Sequence, residues 1–148
     1  MIYPKPMQAE LTDRTVIFPA LSVSGVCSDL MEEAGRILGL GISRAGQGNI
    51  RLGIDESIQG IEAYEMTVSD GVIVLNGCSE EAVARGIWTL AEMLRPCGEG
   101  WAVPAGTVRD AAFKPMRGVH MFLPAPDETD EFKRFLAMLA RLMTLSST

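Results

Sequence analysis

Apolar residues recur along this chain with two different periods, and the switches between them mark its elements. Residues 15–18 are β-branched or aromatic and stop at Pro19, which predicts a short strand. The pattern then turns helical. Ser28 stands ahead of Asp29, Glu32 and Glu33, Ala34, Ile37 and Leu38 follow at helical spacing, and Gly39 or Gly41 supplies the stop. Ser28 is therefore expected to cap a first helix.

Period two returns at residues 49–54, where Ile50, Leu52 and Ile54 alternate with Arg51 and Gly53. Tyr64, Met66 and Val68 share one face of AYEMTVS, and the Asp70-Gly71 pair before VIVLNG predicts a hairpin. Ser79, Glu80 and Glu81 open the strongest helical pattern. Val83, Ile87, Leu90, Ala91 and Leu94 form its apolar stripe, and Pro96 forbids continuation. A short strand is expected at residues 101–103. The stretch PAGTVRDAAFKPMRG then reads as a polar, proline-punctuated connector between domains.

Beyond the connector, VHMFL suits a strand buried on both faces, and DETDEFKRFLAMLARLM reads as an amphipathic helix started by acids. These make one βα unit without neighbours. A parallel sheet or barrel needs several, so residues 112–148 are expected to be an incomplete segment of one or the other, following a domain at 1–111.

Composition narrows the function. The 148 residues carry a net charge of −6 with no cluster of Lys or Arg, which argues against a nucleic-acid partner. Three scattered cysteines, Cys27, Cys78 and Cys97, fit neither a disulfide framework nor a CxxC metal site and are expected to be free thiols. The start MIYPKPMQAE has no basic region followed by an apolar core, and no apolar run approaches membrane-spanning length. A soluble chain with no membrane partner is expected, its compartment left open.

Potential chemistry is sparse. His120 is the only histidine, which excludes a His-rich metal site, and packing within a barrel strand is its expected role. The glycines of GLGISRAGQG follow a helix and precede a strand, the reverse of a phosphate cradle. Asp127, Glu128, Asp130 and Glu131 are placed as helix N-termini favour, and Trp88, Leu90, Met93 and Leu94 read as core filling. No cofactor or metal is expected.

Taken in order, the start IYPKP, the stretch YEMTVSDGVIVLNGCSEEAVARGIWTLAEML and the connector VPAGTVRDAAFKPMRGVHM resemble the β-N-acetylhexosaminidases of glycoside hydrolase family 20. The resemblance implies an α+β fold, a mixed β-sheet with helices on one face, preceding a (β/α)8 catalytic barrel. It also implies where the chemistry lies. The family's Asp-Glu pair, with Glu as general acid and Asp orienting the substrate's 2-acetamido group, sits on a later barrel strand, so this chain is expected to hold no catalytic residue. Arg117 matches the arginine of the family's RG motif, which binds hydroxyls of the terminal sugar, a role available only in a full-length barrel. Where relatives continue from RG into an LD-sRHF element, this chain reads HMFLPAP.

The expected partner is a downstream catalytic barrel of the same polypeptide, with carbohydrate bound only in that context. Two alternatives accompany it. One is a carbohydrate-binding module, for which Trp101, next to Gly100, is the candidate platform. The other is a self-associating structural domain, in which the apolar face of the orphan βα unit, through Phe132, Phe135, Leu136, Leu139 and Leu142, drives homo-oligomerisation.

Overall fold

The computed structural model describes residues 5–116 and 120–145. In chain order its elements are β1 (Gln8–Phe18), β2 (Ser22–Gly25), α1 (Ser28–Leu38), β3 (Ser43–Arg44), β4 (Ile50–Ile54), β5 (Tyr64–Ser69), β6 (Val72–Gly77), α2 (Glu80–Met93), β7 (Arg95–Cys97), β8 (Gly100–Asp110) and α3 (Thr129–Leu145). A 3-10 turn, Pro126–Glu128, leads into α3.

The strands form one mixed sheet in the order β1-β8-β5-β6-β4-β2-β3, with β7 paired to the start of β8. One half, β1, β8, β5 and β6, is antiparallel, while β6, β4, β2 and β3 run parallel. The chemistry of the connections explains the split. Gly71, at φ 74, lets β5 turn directly into β6, whereas β2 reaches its parallel neighbour β4 only after the α1 crossover.

Alternation along the strands decides which face is buried. Tyr64, Met66 and Val68 of β5, Ile73 and Leu75 of β6, and Ile50 and Leu52 of β4 are buried, while Glu65, Thr67, Ser69 and Arg51 are exposed. Met31 and Ala34 of α1 and Val83, Ile87 and Leu90 of α2 join the same core. Burial of each large apolar side chain there contributes about 1.5–3 kcal/mol. Helix and sheet approach closely because Gly86 has no side chain: a Cβ there would come within 2.3 Å of Leu75. The α+β architecture with helices covering one sheet face is as expected.

The first helix departs from expectation at its start. Cys27, in the left-handed conformation at φ 53, is the N-cap, and Ser28 is already helical, its hydroxyl donating to the Gly25 carbonyl at 2.7 Å. Gly39, at φ 69, ends the helix and donates its N–H to the Gly35 carbonyl. Ser79 does cap α2, accepting from the Ala82 N–H at 3.3 Å.

Strand edges are longer than their sequence signals. β1 runs eleven residues rather than four, with a register shift between Leu11 and Thr15, and β8 absorbs the segment read as connector as far as Asp110. Pro104 is tolerated inside β8 because it falls between the last β7 pair, at Ala102, and the first β5 pair, at Gly106, so one edge of the strand is unpaired there. Pro104 marks an interruption of pairing along one edge, not the end of the strand.

The expected VHMFL strand is not formed by its described residues. Residues 120–123 have no regular structure, and Phe122 and Leu123 are 93% and 89% exposed. Without a neighbouring strand their backbone groups have no ladder to join, and water satisfies them instead. α3 does form and packs on α2.

Candidate functional site

Five groups of side chains could carry chemistry, and the fold sends them to separate places. The acids before α3 are the simplest. Asp127 and Glu128 lie in the 3-10 turn, Asp130 and Glu131 in the first helical turn, and all four are exposed. Glu128 accepts from the Ala125 N–H at 3.3 Å, and Asp130 faces Lys133 at 3.8 Å. They stabilise a helix start and a local ion pair; no buried pair of carboxylates is assembled from them.

His120 does not pack within a strand as anticipated. It is exposed, its ring 6.4 Å from that of Phe122, because the segment carrying it has no sheet to enter. Arg117, the expected sugar ligand, lies outside the described residues, as do Gly118 and Val119.

Trp101 is half-buried on β8, on the side that carries Val103, and packs against the core. Its remaining surface lines an open cleft of about 420 Å³ between the C-terminal ends of the first two helices, with Leu38, Leu40, Glu92, Leu94 and Arg95. Arg95 donates through Nη1 to the carbonyls of Glu92 and Leu94, where α2 leaves its last carbonyls without helical partners.

The densest polar cluster was not anticipated from sequence. Arg85, only 1% exposed, donates from Nη2 to Asp110 Oδ2 at 2.9 Å and from Nη1 to the Glu62 carbonyl at 3.2 Å. Glu62 Oε2 stands 3.9 Å from Arg85 Nε, and the other oxygen of Asp110 accepts from the Met7 N–H at 3.1 Å. One guanidinium thus fastens α2 to the end of β8, to the loop before β5 and, through Asp110, to the start of β1. Nearby, the Tyr64 hydroxyl and Thr89 Oγ1 are 2.7 Å apart. Burial pushes the Tyr64 phenol well above its ordinary value, and the Thr89 hydrogen bond only partly opposes this. A neutral phenol and a fully engaged ion pair suit architecture. A signal was available: Arg85, Gly86 and Thr89 share the α2 flank with Ala82, and a charge among small residues at helical spacing calls for a buried partner.

At the first turn of α2, Cys27 shares a shallow surface with Asp29, Glu80 and Glu81. Partial burial raises its thiol pKa, and the acids Glu80, Asp29 and Glu81 raise it further, which disfavours a nucleophilic thiolate. Among the described residues no three His, Cys, Asp or Glu side chains come together to hold a metal ion, and no helix is long and apolar enough to cross a membrane.

A family model described as "Glycosyl hydrolase family 20, domain 2" matches residues 2–111. The chain belongs to glycosyl hydrolase family 20. Solved structures share the fold. An exo β-N-acetylglucosaminidase from Vibrio harveyi, solved with N-acetylglucosamine, superposes with a TM-score of 0.76 at 20% identity over 95% of this chain and 24% of its own. A Streptomyces plicatus β-hexosaminidase variant, solved with its product GlcNAc, gives 0.73 at 19% identity over 95% of this chain and 32% of its own. A β-N-acetylhexosaminidase from Bacteroides fragilis gives 0.61 at 14% identity over 74% and 24%. This family 20 chain therefore spans about a quarter to a third of the length of those proteins. A comparison with curated proteins returns no match.

Proposed function

We propose that this chain is the non-catalytic accessory portion of a glycoside hydrolase acting on β-N-acetylhexosaminides, with residues 1–111 as domain 2 and residues 112–148 as the connector and first βα unit of a (β/α)8 barrel. The observation that carries the reading is the match of the family's domain 2 over residues 2–111. The chemistry of the polar side chains supports it. The buried charges, Arg85 and Asp110, are spent on each other and on backbone groups, while the acids near α3 are exposed on a helix start and form no enclosed pair.

The catalytic Asp-Glu pair then belongs to a later barrel strand of the same polypeptide, and Arg117 becomes a sugar ligand only when that barrel closes around it. Exposed apolar side chains support a covering partner: Phe113 is 75% exposed, Met116 86% and Phe122 93%, and Phe135 and Leu136 of α3 are 40% and 44% exposed although their helix already packs on α2. Soluble monomers rarely leave such a patch in water.

An assay on an aryl N-acetyl-β-glucosaminide tests the division of labour. The 148-residue chain is expected to show no turnover above buffer, and the same residues joined to a family 20 barrel are expected to hydrolyse the substrate. Clear turnover by the purified chain alone would overturn the proposal.

A further inference from the structure

The geometry points to a second carbohydrate site on domain 2 itself: the cleft walled by Trp101, between the C-terminal ends of α1 and α2, takes a single neutral pyranose ring. The choice of a sugar as occupant rests on the hydrolase reading above.

Three observations favour a pyranose. The first is the wall. Trp101 is held by β8 between Phe18 of β1 and Pro96 of β7, and packs on the core with part of its indole left lining the cleft. A rigid, half-exposed indole offers the C–H face of a sugar a surface whose ordering cost is already met by folding. The second is the rim. Arg95 commits Nη1 to the carbonyls of Glu92 and Leu94, which fixes the guanidinium and leaves Nε and Nη2 as a pre-set pair of donors for adjacent hydroxyls. Glu92 lines the same rim and brings a charge of the opposite sign. One charge of each sign gives the cleft no net preference for an anion or a cation, which disfavours a phosphate and suits a neutral ligand with both donors and acceptors. The third is size and shape. Leu38, Leu40 and Leu94 form an apolar floor, and about 420 Å³ of open volume accommodates one ring entering from a longer chain, without the enclosure that tight small-molecule sites have.

Affinity should be weak, because one aromatic contact and a few solvent-exposed hydrogen bonds must offset the cost of association. A dissociation constant of about 1 mM or above is expected. Weak sites of this kind act through repetition: a hydrolase that holds one sugar of a polymer at a non-catalytic cleft raises the local concentration of the remaining chain ends.

The test is a titration of the 148-residue chain with N,N′-diacetylchitobiose, with maltose and cellobiose in parallel, following the two indole N–H resonances by nuclear magnetic resonance. The Trp101 resonance should shift and saturate while that of Trp88 does not. Since the indole also packs on the core, Arg95→Ala serves as the second variant. It should weaken binding about fivefold or more, from the loss of charge-assisted hydrogen bonds, with the spectrum otherwise folded. Arg14→Ala, in β1 where Arg14 pairs with Asp70 and does not line the cleft, should bind as the parent does. No saturable Trp101 shift with any of the three sugars up to tens of millimolar, or shifts unaffected by Arg95→Ala, would overturn the second site while leaving the hydrolase reading intact. Saturation by the glucans alone would support a pyranose site yet count against N-acetylhexosaminides as the family-derived reason for it.

Discussion

Removing the Asp110 side chain should cost the domain about 3 kcal/mol, although Asp110 is one residue among eleven in an already well-paired strand. Its carboxylate is 7% exposed and its partner Arg85 is 1% exposed, so neither charge recovers hydration when the other is lost. Asp110→Ala strips the guanidinium of its 2.9 Å contact and leaves the Met7 N–H without its acceptor. Breaking a buried pair from one side typically costs about 3–5 kcal/mol, because an uncompensated charge stays inside. Glu62, 3.9 Å from Arg85 Nε and about a quarter exposed, offsets part of this, which places the expected loss near the lower end, at about 3 kcal/mol. Asp110→Asn keeps the volume and an acceptor for Met7, so its loss should be smaller, about 1–2 kcal/mol.

Urea unfolding followed by far-ultraviolet circular dichroism reads the effect directly. With a slope of about 1–3 kcal/mol per molar for a domain of this size, 3 kcal/mol moves the midpoint by roughly 1–3 M. Replacing Arg85 with Met in the Asp110→Ala background removes the stranded charge and should restore much of the midpoint. The double-mutant cycle should then give a coupling above about 1.5 kcal/mol. A shift below about 0.3 M for Asp110→Ala, or additive single changes, would refute the argument and mean that the pair is effectively solvated.

Three further outcomes are expected. Gly25→Ala should cost more than about 3 kcal/mol, because a Cβ there would sit 1.9 Å from the Leu52 carbonyl oxygen on a backbone at φ +102, whereas Gly39→Ala, at φ +69 with open space around it, should cost only about 1 kcal/mol; thermal melts of the two variants check the contrast. Alkylation at pH 8 should modify exposed Cys97 faster than Cys27, since a raised pKa leaves less Cys27 thiolate at that pH, and the gap should narrow as pH rises toward 10; peptide mapping of the alkylated chain reports the order. The isolated chain should self-associate through the apolar face of α3, and Phe135→Ser with Leu136→Ser should return it to monomer by light scattering; a clean monomer of the parent at high concentration would contradict the uncovered-patch argument.

Legibility of the sequence followed how local each cause was. The hairpin at Asp70-Gly71, the α2 stripe from Val83 to Leu94 and the Ser79 cap each depend on residues within one turn or one strand, and each stands where its pattern placed it. β2, β3 and β7 left no such trace, because they are two to four residues long and exist only as partners of β4, β2 and β8. The same cause explains the misread connector. Residues 104–110 carry Pro104 and Gly106, which as local signals mean a break, yet β1 and β5 both pair with this segment and override them.

The Arg85–Asp110 cluster was missed in the sequence because its members lie on elements far apart along the chain. Arg85 and Asp110 are 25 residues apart and meet only after β8 has returned across the sheet beneath α2, so neither residue type in isolation announces the other. Asp110 is the last residue of β8, so the Arg85–Asp110 contact sets where the chain departs from the sheet. The fixing group is a buried ion pair that also contacts backbone groups, and its directional hydrogen bonds resist sliding and rotation better than an apolar contact would.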